Sequence, residues 1–168
     1  MHVRAVQEAS AEEDDAIPQL LVFGGSGYVG SHVCREALRV GLPVTSISRS
    51  GKPTNDTRPW VNDVTWLAAD ALQPESYAHL FPSSLAAVSC IGLISASQEE
   101  MLRMNGEVNT RLINAAADAG VGRFALVSAH DYAFPGDLVV LRGYFQGKRD
   151  AENALAARFP TGGALPSA

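Results

Sequence analysis

The chain has 168 residues, 46% of them hydrophobic, and a formal net charge of −5, which suits one globular domain with a substantial core. Its 13 basic residues are scattered rather than gathered into a stripe, so the composition excludes a nucleic-acid-binding surface. No apolar run approaches the roughly 18 residues of a membrane-crossing helix, and the two cysteines, Cys34 and Cys90, read as small buried side chains of a reducing compartment rather than a disulfide framework.

Residues 1–17 carry Glu8, Glu12, Glu13, Asp14 and Asp15 among small residues. They lack the basic and apolar regions of a secretory signal, and their acidity sets them apart from a transit peptide, so a disordered acidic leader that encodes no location is expected. Gln19–Phe23 is a short apolar run between Pro18 and glycines, which predicts a buried strand. Val29, Val33 and Ala37 then recur four apart, with Cys34 and Leu38 alongside, until Gly41 and Pro43; this predicts a helix of about three turns. Further strands are expected at Val44–Ser48, 64–68 and 86–91, with a polar surface loop holding Pro53 and Pro59 at 51–62.

Residues 100–119 have helical spacing, with Leu112, Ala116 and Ala119 on one stripe near Val108 and Gly120 as the stop. A fifth strand is expected at 124–127, then a loop with Pro135 and Gly136, then a helix over Arg142–Arg158 marked by Ala151, Leu155 and Phe159. Strands alternating with helices imply parallel pairing through right-handed crossovers. The expected fold class is α/β, a doubly wound parallel sheet over residues 18–160, followed by an irregular tail at 161–168.

Gly24, Gly27 and Gly30 stand three apart between the first strand and the first helix, within the run Gly24-Gly25-Ser26-Gly27-Tyr28-Val29-Gly30. A tight strand-to-helix turn needs residues that tolerate positive φ, and a pyrophosphate reaches the backbone only where no Cβ intervenes. The amides at the helix start and the positive end of its dipole then hold the anion. Glycines in loops are often mere turns, but here strand, loop, helix and second strand fall in order, so the pattern points to a dinucleotide.

The second strand ends without the acidic residue that would bind the adenosine ribose of NAD. It ends instead in Ser48-Arg49-Ser50, with Lys52 following, a cationic, hydroxyl-rich pocket suited to the extra phosphate of NADP. Two readings stand: Arg49 as a phosphate ligand, which makes NADP the expected cofactor and NAD the alternative, or Arg49 as an ordinary exposed loop arginine.

Together with these motifs, Asp70 after the third strand, Met-Asn-Gly-Glu-Val-Asn at 104–109, Ala-Gly-Val-Gly-Arg-Phe at 119–124 and Tyr-Phe-Gln-Gly-Lys at 144–148 resemble the atypical and extended short-chain dehydrogenase/reductases, which have a Rossmann fold. Ser-Ala-His-Asp-Tyr at 128–132 and the run at 143–152 are similar, more narrowly, to the plant and algal plastid members related to the complex I subunit of this fold and to the fungal coenzyme Q biosynthesis factor. The resemblance implies a plastid location, with the mitochondrion as alternative. It implies that Gly24, Gly27 and Gly30 take the pyrophosphate, Arg49 the ribose end and Asp70 the adenine edge. Gly25, Ser26, Tyr28, Val29, Ser50, Ala71, Gly92 and Asn109 belong to the same expected cofactor surface.

Tyr144 and Lys148 match the Tyr-x-x-x-Lys pair of that family. Positions four apart share a helix face, and a neighbouring ammonium favours phenolate, so such a tyrosine can give a proton to a carbonyl while the nicotinamide delivers hydride and the lysine reaches the cofactor ribose. The carbonyl-orienting residue would be Ser128, which directly follows the fifth strand, with His130 as an alternative hydrogen-bond donor or a merely solvated loop histidine. Asn105 and Asn109 lie on the helix that borders the cofactor in that family, where an amide can cap strand ends and order a water, but they are expected here to be buried structural amides. After Phe159 the chain departs from the family pattern, which continues into another strand and a substrate-binding lobe; residues 161–168 are too short for either. The expectation is therefore a truncated chain whose exposed sheet edge is covered by a protein partner. Two functions follow: an NADP-dependent oxidoreductase acting on a lipid- or quinone-like carbonyl, or a non-catalytic nucleotide-binding module serving a complex.

Overall fold

In the computed structural model, which describes residues 18–129 and 139–160, five strands form one sheet: β1 (Gln19–Phe23), β2 (Val44–Ser48), β3 (Thr65–Ala68), β4 (Ser84–Ser89) and β5 (Phe124–Leu126). All pair in parallel, in the order β3-β2-β1-β4-β5. The chain winds outward from β1 to β3, returns to the other side of β1 as β4, and so leaves a topological switch point between β1 and β4, where open α/β sheets bind ligands.

Both faces of β1 are buried, which is why its sequence is continuously apolar rather than alternating. Leu21 and Phe23 face one core with Ile47, Tyr77, Leu112 and Ile113, while Leu20 and Val22 face the other with Cys34, Ala37 and Val44. Phe23 packs edge-on to Tyr77, with ring centroids 5.1 Å apart. The Tyr77 hydroxyl, buried with its ring, donates to Ala71 O at 2.8 Å, so the polar tip of that side chain keeps a partner inside the core.

α1 (Tyr28–Arg39) covers the second of these cores and stops at Gly41, whose φ of +79° is the left-handed cap that glycine adopts without strain. On the other face, α2 (Gln98–Leu102), a π turn at Arg103–Glu107 and α3 (Val108–Asp118) form one continuous helix, joined by α4 (Arg142–Arg158). Ser97 starts this run: its Oγ accepts from Glu100 N at 3.1 Å, in a Ser-x-x-Glu context. The expected helix at 100–119 therefore begins two residues early, carries a π turn unforeseen in its spacing, and leaves Ala119 exposed rather than on the buried stripe of Leu112 and Ala116. β4 likewise runs Ser84–Ser89 rather than 86–91, because Ser84 pairs with Gln19. A 3-10 turn at Pro59–Asp63 closes the loop after β2.

α4 lies backbone to backbone on the helix before it. A Cβ on Gly143 would come within 2.1 Å of Gln98 O, and one on Gly147 within 2.7 Å of Gly106 N. Gln98 fastens the same junction through its side chain, accepting from Gly143 N at 2.7 Å and donating to Val140 O at 2.7 Å. No helix of the described residues is long and apolar enough to cross a membrane. The expected leader at 1–17, His130, the loop with Pro135 and Gly136, and the tail at 161–168 lie outside the described residues.

Candidate functional site

The loop between β1 and α1 opens at the switch point. Gly24 takes φ +84° and its N–H donates to Ile47 O at 2.8 Å, while Gly27 N returns to Gly24 O at 3.0 Å. Gly27 is the N-cap of α1, in extended conformation, with no side-chain cap bond and no acidic residue in the first turn that follows. The first amides of the helix thus have neither an intrahelical nor a side-chain acceptor, and they point, with the positive end of the dipole, at whatever anion enters.

The other glycines of the motif do different work. A Cβ on Gly30 would sit 2.2 Å from Gly24 O and 2.7 Å from Gly25 Cα, so Gly30 lets the helix press against the loop. A Cβ on Gly25 would meet Ser46 Oγ at 2.2 Å and Cys34 Sγ at 2.8 Å, beneath the loop. Neither lines the cleft.

That cleft has a volume of about 620 Å³, within the size range of cofactor sites. Of the residues expected at a cofactor, Gly24, Ser26, Gly27, Arg49, Ser50, Asp70, Ala71 and Gly92 line it. Arg49 and Ser50 are exposed, while Asp70 turns one carboxylate oxygen to Leu72 N at 3.0 Å. Tyr28 and Val29 do not line it: they start α1 facing outward, Tyr28 at 83% exposure, with the Tyr28 ring 5.0 Å from that of His32. Tyr28 borders instead a second depression on the far side of the glycine loop, with Arg58 and Trp60.

Asn109 and Lys148 are also absent from the cleft lining, because both lie behind its wall. Asn105 and Asn109 are fully buried. Asn105 accepts from Leu93 N at 3.2 Å and donates to Leu93 O at 2.8 Å and Met101 O at 2.7 Å; Asn109 accepts from Ser89 Oγ at 2.6 Å and donates to Asn105 O at 2.9 Å. These are the buried structural amides expected from the sequence: Asn109 meets the end of β4 at Ser89, Asn105 holds the segment that follows it, and both also bond carbonyls of their own helix.

Lys148 is only 4% exposed and donates to Val127 O at 2.8 Å and Ile91 O at 3.0 Å. A Cβ on Gly92 would lie 3.4 Å from its Nζ, so one glycine separates the ammonium from the cleft. Burial holds the ammonium below its usual pKa, against the opposing pull of Cys90 and Glu152. Burial in turn pushes the Cys90 thiol up to about 11 and Cys34 to about 12, so both are neutral thiols near pH 7 and poor nucleophiles.

The Tyr144 ring centroid lies 5.9 Å from Lys148 Nζ, one helical turn away on α4. The Tyr-x-x-x-Lys pair is therefore together, half-buried at Tyr144 and just outside the cleft lining. Ser128 is exposed and its hydroxyl donates to the carboxylate of Glu152, the next residue along the Tyr144–Lys148 face. The sequence reading did not single out Glu152, Gln98, Arg103 or Met104. The last two line the cleft from the π turn, and only a signal for that turn would have placed them there.

The sequence profile described as NAD(P)H-binding matches residues 24–159. The chain is 40% identical over 147 residues to "Uncharacterized protein At1g32220, chloroplastic" of Arabidopsis thaliana, covering 88% of this chain and 48% of that protein. It is 39% identical over 82 residues to "MIOREX complex component 2" of Saccharomyces cerevisiae, covering 46% of this chain and 30% of that one. The chain thus spans about half or less of the length of these curated relatives. Among solved structures, MoeE5 in complex with UDP-glucuronic acid and NAD superimposes with a TM-score of 0.64 at 24% identity, over 83% of this chain and 48% of that one. With a five-stranded parallel sheet wound about a glycine loop and a family match over most of its length, the chain belongs to the NAD(P)H-binding family and has a Rossmann-like fold.

Proposed function

We propose that the chain is an NADP(H)-dependent oxidoreductase domain that acts on a lipid- or quinone-like carbonyl. The observation that carries this reading is the side-chain-free N-terminus of α1, opening through Gly24 into a cleft whose β2 end bears Arg49 and no carboxylate. Gly24, Ser26 and Gly27 hold the pyrophosphate, Arg49 and Ser50 the ribose phosphate, and Asp70 with Ala71 the adenine edge. The nicotinamide, when bound, supplies the hydride. Tyr144 gives its phenolic proton to the substrate oxygen, and the Lys148 charge stabilises the phenolate left behind. Ser128 orients the carbonyl once its hydroxyl leaves Glu152. The substrate class follows from the resemblance to quinone-related members of the family, as does a plastid location; the mitochondrion is the alternative.

A second reading, a nucleotide-binding module within a complex, is favoured by two observations. Ser128 is already held by Glu152 and Lys148 by two main-chain carbonyls, and the yeast relative is named as a component of a complex. In that case a partner covers the free side of β5. Thermal melting with NADPH, NADH or neither tests the shared premise: a ligand at a hundred times its Kd stabilises the native state by about 2.7 kcal/mol. Turnover on a carbonyl panel, lost in Tyr144→Phe, supports the enzyme. Stabilisation by NADPH without turnover supports the module, and no stabilisation by either nucleotide overturns both.

A further inference from the structure

The helix bordering the cleft carries a cation that the cofactor assignment above leaves unused. In the π turn at Arg103–Glu107 the amide-to-carbonyl step lengthens by one residue, which rotates α2 and the start of the turn by about 100° against the register of α3. The two buried amides stabilise this geometry: Asn105 Nδ2 donates to Met101 O at 2.7 Å, and Asn109 Nδ2 to Asn105 O at 2.9 Å and Met104 O at 3.3 Å. As a result Asn105 and Asn109 lie behind the wall, while Arg103 lines the cleft.

Arg103 is exposed, and among the described residues no carboxylate pairs with it. Among the described residues, the charged ones lining the cleft are Arg49, Arg103 and Asp70, and Asp70 is already turned to Leu72 N. A guanidinium that is unpaired, exposed and held on the wall of a cleft is a ready ligand for phosphate oxygens.

We infer that Arg103 is a phosphate-binding residue of the cofactor cleft, reaching the dinucleotide from the helix side while the glycine-loop amides hold it from the other. This rests on the reading that the cleft takes NADP(H). The phosphate is either the pyrophosphate or the ribose 2′-phosphate, and binding titrations of Arg103→Gln and Arg103→Lys separate them. NADPH, NADH, ADP-ribose, 2′-AMP and adenosine serve as probes, with melting of the free proteins as a check on folding. Arg103→Gln is expected to weaken phosphate ligands about tenfold, Arg103→Lys less, and neither to change adenosine binding. A loss shared by NADPH, NADH and ADP-ribose assigns the pyrophosphate; a loss confined to NADPH and 2′-AMP assigns the 2′-phosphate. Wild-type affinity for every phosphate ligand in Arg103→Gln, or an equal loss with adenosine, overturns the inference while the cofactor reading stands. Failure of the wild-type protein to bind any dinucleotide removes the cofactor reading and the role of Arg103 with it.

Discussion

Replacing Gly30 by alanine separates the steric requirement of the glycine loop from its phosphate chemistry. The new Cβ would lie 2.2 Å from Gly24 O, where ordinary contact begins near 3.4 Å, so the loop and the start of α1 must part by about 1.2 Å. Gly24 cannot easily yield, since its N–H is bonded to Ile47 O and its O to Gly27 N. Over-packing of this kind costs about 1–3 kcal/mol; with backbone on both sides the upper end applies, and for a chain of this size that lowers Tm by about 6–12 °C. The same displacement pulls the helix amides from the phosphate, and the loss of even one charge-assisted hydrogen bond, about 1.5 kcal/mol, weakens NADPH roughly tenfold. Gly122→Ala is the control, because nothing lies within 4 Å of its Cβ; it should stay within about 0.5 kcal/mol of wild type. The assay is thermal denaturation with and without NADPH. A Gly30→Ala protein that melts with Gly122→Ala and binds NADPH as wild type does would refute the argument.

Arg49→Asp should invert the preference between NADPH and NADH in parallel titrations, and an unchanged affinity ratio would return Arg49 to the status of a loop residue. For Lys148 the sign of the pH dependence is fixed by burial: the folded ammonium titrates below its usual 10.5, so in the window below 10.5 the unfolded chain binds more protons and stability rises with pH. Urea unfolding of wild type and Lys148→Met should therefore show the difference moving in favour of wild type as the pH rises towards 10.5; a flat difference contradicts a buried charge there. Asn105→Ala strands Met101 O and both polar groups of Leu93, an expected loss of about 3 kcal/mol in unfolding free energy. A loss below about 1 kcal/mol would mean that the π turn stands without the amide.

The parts of this molecule that were legible in its sequence are those where one physical signal acts alone. β1 reads as a buried strand because both of its faces are covered, and α1 is bracketed by glycines whose conformations are local. The glycine spacing located the cleft, and Arg49 at the end of β2 lies on its wall. Legibility failed where partners come from afar. The spacing of Leu112 and Ala116 carries no sign of the π turn that precedes them, since Asn105 and Asn109 within and beside that turn meet the segment that follows β4. Tyr28 and Val29 sit in the glycine motif, yet the helical phase of α1 turns them away from the cleft. Lys148 was found by its spacing from Tyr144, but its position behind Gly92 depends on β4, β5 and α4 meeting, which no local pattern encodes.

The glycine junction between α4 and the helix before it has a mechanical consequence. Side chains normally keep packed helices apart, but Gly143 lies against the Gln98 backbone and Gly147 against the Gly106 backbone, with no side chain between them at either point. A tilt of α4 is therefore expected to carry the segment with Arg103 and Met104 along with it, so that Tyr144 and that wall move together. On the proposed oxidoreductase reading, the spacing between Tyr144 and the wall of the cleft is then fixed by main-chain contact rather than by a flexible arm.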